Sequence, residues 1–391
     1  MFAFGLVSLF ADMVYEGLRS MIGPFLGSLG ASALAVGLIT GAGEGAALVL
    51  RLATGVWADR SQRHWRLTVV GYAMTAVCVP LLALAPFVGA VGLVFAALLF
   101  LLERVGKAVR SPSKSVLLAT MAVQTGRGRG FGVHKALDQV GAFVGPLVLA
   151  GMAALTGVLW PGFAVLAIPG VISLALLAQL RRRVPSVARP LSDEGRPARP
   201  VGWRTAVVGT DLPRTFHAFS LAIALTTTGL MTFGVISYAL VDAEVIAVAA
   251  IPLVYALAMA VAALAALSTG EAFDRWGPRI LLVVPVLVAA VPLCVFTGHG
   301  ALVLLGVALW GMASGIQDST VKALVADLVP VWQRGSAYGV FAAVQGAGAL
   351  AGGALAGALA IGNVLTLAVV IGVLQVVSFA MLWRILHHEV G

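Results

Sequence analysis

Long apolar runs separated by short polar interruptions set the pattern of this chain. A bilayer-spanning helix needs about 20 mainly apolar residues. By that measure spans fall near 4–28, 34–58, 67–88, 91–119, 131–156 and 160–182, then near 214–240, 246–270, 280–298, 301–326, 336–360 and 363–386. The pattern predicts an all-α polytopic membrane protein of 12 transmembrane helices in two pseudo-symmetric six-helix bundles, 1–182 and 214–391. Between them, 183–213 holds Pro185, Pro190, Pro197 and Pro200 among alternating charges. Such a segment cannot build a core and reads as a linker.

Composition sharpens this. Of 391 residues, 60% are hydrophobic and 10% charged, against roughly 45–50% apolar and about 25% charged in a soluble domain. Soluble enzymes, nucleic-acid binders and secreted disulfide scaffolds are excluded, and the lipid bilayer is the implied solvent. The net charge of +9 is the Lys/Arg bias of one set of loops. Arg60, Arg63, Arg66, Arg127, Arg129, Arg275, Arg279 and Arg334 fall on one side with the Arg-rich linker, whereas the opposite loops hold no Lys or Arg. Both termini are therefore expected to be cytoplasmic. Asp12, Glu16 and Arg19 in the first run argue against a cleaved signal peptide. Cys78 and Cys294 lie in apolar runs and read as inert thiols.

An internal repeat runs through the chain. Gly55-x3-Asp59-Arg60-x2-Arg63 after span 2 recurs as Gly270-x3-Asp274-Arg275 after span 8, with Gly277 where the first copy has Gln62. Phe131-Gly132-Val133 with Gly141 and Gly145 recurs as Tyr338-Gly339-Val340 with Gly348 and Gly352. Parallel repeats of this kind build rocker-type transporters, with a site at midplane between the halves.

On these residues the chain resembles the major facilitator superfamily over its whole length. The Gly55–Arg63 text is similar to that family's loop signature, and Gly132-x8-Gly141-x3-Gly145-Pro146 resembles the helix 5 motif of its proton-driven drug antiporters. Leu149-Ala150 replaces that motif's closing glycine pair. Arg104 resembles the arginine of the helix 4 motif. The resemblance implies a bacterial inner-membrane protein, monomeric as is usual there, that exports by a bend in helix 5. It also implies a cytoplasmic gate at Gly55, Asp59, Arg60, Arg63, Gly270, Asp274 and Arg275, to which Asp138 is added.

Charges at membrane depth carry the chemistry. Each costs about 2.5–3.5 kcal/mol at a helix centre, so they must face a cavity or one another. Asp12, Glu16 and Arg19 share a face of helix 1 with Tyr15 beside them; Glu103, Lys107, Arg110 and Lys114 form a stripe on helix 4. Glu44 shares a face with Arg51, and Lys135 with Asp138. A carboxylate in a cavity beside a movable Arg can load and release protons. Asp12, Glu16, Glu44, Glu103 and Arg104 are thus expected to couple protons. Arg19, Tyr15, Lys107 and Arg110, with Tyr238, Tyr255 and Trp310 from the second half, are the expected substrate contacts. His134 reads as structural.

No phosphate-binding loop, metal-site spacing or cofactor motif is present. The expected function is therefore not enzymatic: a proton-coupled exporter of small amphipathic molecules working by alternating access. The alternatives are a transporter of an anionic metabolite or metal-chelate, and a non-transporting sensor on the same fold.

Overall fold

In the computed structural model the apolar stretches are helical almost end to end. The structure describes residues 2–122, 127–184, 212–330 and 334–388; the side chains of 59, 119–120, 122, 127–133, 270, 274, 319–320, 322–323, 326–327, 334–336 and 388 are outside that description. The proposed linker, 183–213, lies almost wholly outside it. Numbered in chain order, the spans are α1 (Phe2–Ser28), α2 (Ala33–Ser61), α3 (His64–Leu81), α4 (Gly92–Ala122), α5 (Arg127–Thr156) and α6 (Trp160–Arg183). The second set is α7 (Arg214–Asp242), α8 (Ile251–Trp276), α9 (Val283–Val295), α10 (Gly300–Asp327), α11 (Arg334–Leu359) and α12 (Val364–His388).

Among the described residues, 11 helical stretches are long and apolar enough to cross a membrane. Helix α1 is the exception because Asp12, Glu16 and Arg19 interrupt it, yet it has 27 residues. At 1.5 Å rise it reaches about 40 Å, more than the roughly 30 Å hydrocarbon layer. Side chains such as Leu155, Leu267, Leu365 and Val376 stay exposed. Water would penalise that surface; lipid does not. The protein is a multi-pass membrane protein.

The helices form two units: Met1–Gly30 with Leu50–Arg199, and Ala31–Val49 with Pro200–Gly391. In the first unit α1 lies along α5 at backbone contact. A Cβ on Gly141 would stand 2.1 Å from the Leu9 carbonyl oxygen, and one on Gly145 would stand 2.2 Å from that of Met13. In lipid, where no hydrophobic force draws helices together, such close approach of small residues supplies the packing. Pro146 does not end α5, which continues to Thr156.

The second unit repeats this contact. Gly348 and Gly352 of α11 press on the carbonyls of Ala224 and Thr228 in α7, at 2.6 and 2.4 Å for an added Cβ. The glycines are the repeat partners of Gly141 and Gly145, so the sequence repeat is also a packing repeat. The first part of α2 belongs to this unit and packs on α11 through Gly37 and Gly353. Its Thr40 hydroxyl bonds that of Thr232 at 2.7 Å.

Two local features depart from a simple reading of the apolar runs. Helix α7 is broken: it runs Arg214–Leu230, turns at Met231 with φ 59°, and resumes at Phe233–Asp242. Gly229 and Gly234 flank the break, but the positive φ falls on Met231 itself. The other feature is the turn after α2, where Gln62 has φ 51°; Gly277, its counterpart after α8, has φ 69°. Both copies of the loop signature therefore need a left-handed residue at the signature's glycine position. Gln62 carries there the strain that glycine avoids.

Two predictions follow the packing. Gly141→Ala should lower stability by about 1–3 kcal/mol, read as thermal unfolding in detergent. Gly151→Ala, where an added Cβ meets nothing within 4 Å, should leave it unchanged. Gly277, at φ 69° and ψ −167°, occupies a region open essentially to glycine alone. Gly277→Ala should therefore cost about 1–3 kcal/mol, whereas Gln62→Gly should be neutral or stabilising in the same assay.

Candidate functional site

The first unit brings its charged stripes together around one aromatic ring. Tyr15 of α1 is buried, and four cations surround it. Arg104 donates to its hydroxyl at 2.5 Å and Lys107 donates to the same oxygen. The Arg104 guanidinium lies 4.4 Å from the ring centroid and the Lys107 ammonium 3.7 Å, with Arg19 at 5.6 Å and Arg110 at 6.0 Å. A phenol suits this position because its face and its oxygen both attract cations.

Glu103 and Arg104 form the buried heart of the cluster, both 0% exposed, with Nε and Oε2 3.1 Å apart. Thr75 of α3 donates to Glu103 Oε1 at 2.9 Å and accepts from Arg110. One neutral hydroxyl thus connects an acid and a base on α4. Burying an ion pair is expensive unless its remaining valences are met; Thr75 meets one oxygen of Glu103 and Tyr15 one nitrogen of Arg104. At the more accessible edge Arg19 pairs with Glu16 at 3.3 Å.

A second group lies along the α1–α5 contact. Asp138 of α5 is held by Lys114 at 3.5 Å and by Lys135 at 3.6 Å. The Asp12 carboxyl lies in the same charged group as Asp138, Lys114 and Arg110. Ser8, one turn before Asp12, bonds His134 Nε2 at 2.8 Å and the Tyr72 hydroxyl at 3.2 Å.

The structure brings together Asp12, Tyr15, Glu16, Arg19, Glu103, Arg104, Lys107, Arg110 and Asp138 within the first unit. Glu44 stands apart in this respect, since its segment is grouped with the second unit. Among the second-half residues, Tyr255 and Trp310 are buried in an aromatic cluster with Phe233, at centroid distances of 4.7 and 5.6 Å. The Trp310 indole donates to the Met231 carbonyl at the α7 break, 3.4 Å away. Tyr238 is half-buried.

Of the gate residues, Gly55 has Pro112 as its nearest packing neighbour, 4.0 Å from an added Cβ. Arg60 and Arg63 are exposed, and Arg275 pairs with Glu271 at the surface. Gly132 and the side-chain positions of Asp59, Gly270 and Asp274 lie outside the described residues. Among the described residues no group of His, Cys, Asp and Glu could hold a metal ion.

Sequence reasoning missed Ser8, Tyr72 and Thr75. Neutral hydroxyls inside apolar helices are common and attract no notice. Thr68, Tyr72 and Thr75 do fall at i, i+4 and i+7, the spacing that exposed the charged stripes, and that was the available signal.

Comparison with known proteins agrees with this architecture. The Major Facilitator Superfamily model matches residues 4–242 and 219–390. An uncharacterized protein of Mycobacterium tuberculosis is 49% identical over 389 residues, covering 98% of this chain and 91% of that one. An uncharacterized MFS-type transporter of Methanocaldococcus jannaschii is 26% identical over 372 residues, covering 91% and 87%. Among solved structures, the nucleoside transporter NupG superposes with a TM-score of 0.74 at 16% identity over 99% of each chain. A POT family transporter in complex with a thioalcohol conjugated peptide gives 0.75 at 13% identity over 98% and 95%. At such identities the likeness is one of fold.

The site makes its own prediction. Tyr15→Phe keeps the ring but removes the oxygen shared by Arg104 and Lys107. It should cost about 1.5–3 kcal/mol, as for a hydrogen bond to a charged group. Tyr15→Leu, which also removes the cation–π contacts, should unfold at a lower temperature still.

Proposed function

We propose a proton-coupled exporter of small amphipathic molecules, starting from the premise that this chain belongs to the Major Facilitator Superfamily and is a membrane transporter, not an enzyme. The observation that carries the proposal is the fully buried Glu103–Arg104 pair, tied through Tyr15 to the helix 1 stripe. An acid held at depth by a cation on a neighbouring group is a device for taking and losing a proton as helices rock. Asp12, Glu16 and Glu103 are the proposed carriers, with Arg104 and Arg19 as their tuning cations. Export, as in the drug antiporter branch, is supported by the Gly141, Gly145 and Pro146 motif, whose two glycines set the α1–α5 contact.

We propose the inner membrane of a bacterium and a monomer, following the family resemblance, with both termini cytoplasmic, following the Lys/Arg bias of the loops. The four cations gathered on Tyr15 favour a second reading for the substrate. An anionic metabolite or metal-chelate would find more basic than acidic groups there.

Purified protein in liposomes tests the proposal, with proton movement recorded against a panel of lipophilic cations and organic anions. Wild type should show substrate-triggered proton flux, and Glu16→Gln or Glu103→Gln should lose it. Flux with anions alone would favour the second reading. Substrate movement without proton flux would leave the cluster as structural ion pairs.

A further inference from the structure

The α3–α4 contact places one hydroxyl between an acid and a base. Gly71 of α3 and Gly106 of α4 bring the two backbones together. A Cβ added to Gly71 would stand 2.5 Å from the Gly106 carbonyl oxygen, and one added to Gly106 would stand 2.7 Å from the Met74 Cβ. Thr75, one turn beyond Gly71, is 1% exposed and meets Glu103, which is 0% exposed. Its hydroxyl donates to Glu103 Oε1 at 2.9 Å and accepts from Arg110. The Gly71 carbonyl, one turn back on α3, is a second acceptor for the same hydrogen at 3.5 Å. Among the described residues Glu103 Oε2 has no hydrogen-bond partner, although Arg104 Nε stands 3.1 Å away as an ion pair. The hydrogen bonding of this buried carboxyl group therefore runs through Thr75.

A hydroxyl has one hydrogen and two lone pairs. Arg110 occupies one lone pair. While Glu103 is ionised, the Thr75 hydrogen points to its carboxylate. When Glu103 gains a proton, its O–H can fill the second lone pair, provided the Thr75 hydrogen turns to the Gly71 carbonyl. Neither state leaves Thr75 or Oε1 without a partner, and a buried group left without one is costly. A guanidinium such as that of Arg104 has donors alone and suits only the ionised acid.

We infer that Thr75 is the positioning residue for proton loading at Glu103, its hydroxyl turning between the carboxylate and the Gly71 carbonyl so that the acid is partnered in both protonation states. The inference rests on the proton-coupled reading above and selects Glu103 among its proposed carriers. Thr75 is not a relay, because it keeps its own hydrogen throughout. The carboxylate takes one proton from the aqueous phase, an O–H bond forms on Oε1, and the group becomes neutral. Release breaks that bond and reverses the turn. The other titratable and charged groups around this acid are Arg104 and Arg110 on α4, Tyr72 and Cys78 on α3, and Tyr15 on α1, which Arg104 shares with Lys107.

The test uses the full-length protein in liposomes, with tetraphenylphosphonium, ethidium and benzoate as probes. Wild type should couple probe movement to proton flux. Thr75→Val, which keeps the shape and removes the hydroxyl, should lower that flux by roughly 10- to 100-fold, as for a buried polar group left unpartnered. It should also move the midpoint of the pH profile. Thr75→Ser, which keeps the hydroxyl, should retain the wild-type midpoint and most of the flux. Added to Glu103→Gln, where the acid no longer titrates, Thr75→Val should leave the remaining probe exchange unchanged, because Thr75 acts through the acid. Thr75→Ala makes the same comparisons if Thr75→Val does not fold. Unaltered flux and pH midpoint in Thr75→Val, beside a coupled wild type, would overturn the role of Thr75 alone. Thr75→Ser as impaired as Thr75→Val, or a further loss of exchange in the double variant, would reduce Thr75 to packing and overturn it equally. Absence of proton flux from the wild type with every probe would overturn both this inference and the coupling it rests on.

Discussion

Charge in a low-dielectric slab is the constraint from which the rest of this molecule follows. Ionised groups at bilayer depth each cost several kcal/mol unless they are paired or wetted. The first unit gathers its ionised groups onto shared hydroxyls: Tyr15 for Arg104 and Lys107, Thr75 for Glu103 and Arg110. That arrangement is possible only if α1, α3 and α4 hold a fixed rotation about their axes. The glycine contact between α1 and α5 contributes that fixity. Packing and electrostatics are thus one problem, because a slip of helix α1 would break the backbone contact and unseat Asp12 and Tyr15 together.

The two halves answer the constraint differently. They share the glycine-to-carbonyl contact: Gly141 and Gly145 of α5 against α1 in one, Gly348 and Gly352 of α11 against α7 in the other. The described core of the second unit is apolar and aromatic, with Phe233, Tyr255 and Trp310 packed beside the break in α7. Its buried polar contacts are neutral ones, such as Thr226 with Ser378 at 2.7 Å. A common scaffold thus carries charge in one copy and apolar bulk in the other.

Much of the fold could be read from the residues. Helix lengths and loop positions follow from apolar run length, since a bilayer leaves few other solutions. The charged faces of α1 and α4 follow from i, i+4 and i+7 spacing, and the structure joins them at Tyr15. The break at Met231 could not be read, because a positive φ at a methionine depends on tertiary contacts such as the Trp310 indole on its carbonyl. Tyr255 and Trp310 were singled out for their polar tips, whereas their rings are packed with Phe233. Ser8 and Tyr72 were invisible for the opposite reason: a lone hydroxyl in a helix can always bond its own backbone. Gln62 looked like a defect in a signature; its left-handed turn shows that the backbone shape persists without the glycine.

Whether the buried acids change protonation during transport is the central claim, and infrared difference spectroscopy on the reconstituted protein reads it directly. The account predicts that substrate addition changes the carbonyl band of protonated carboxyl groups, and that Glu103→Gln diminishes the change. A spectrum in which substrate binds and no protonated-carboxyl band moves would contradict it, and would leave the network around Tyr15 as a permanent structural tie.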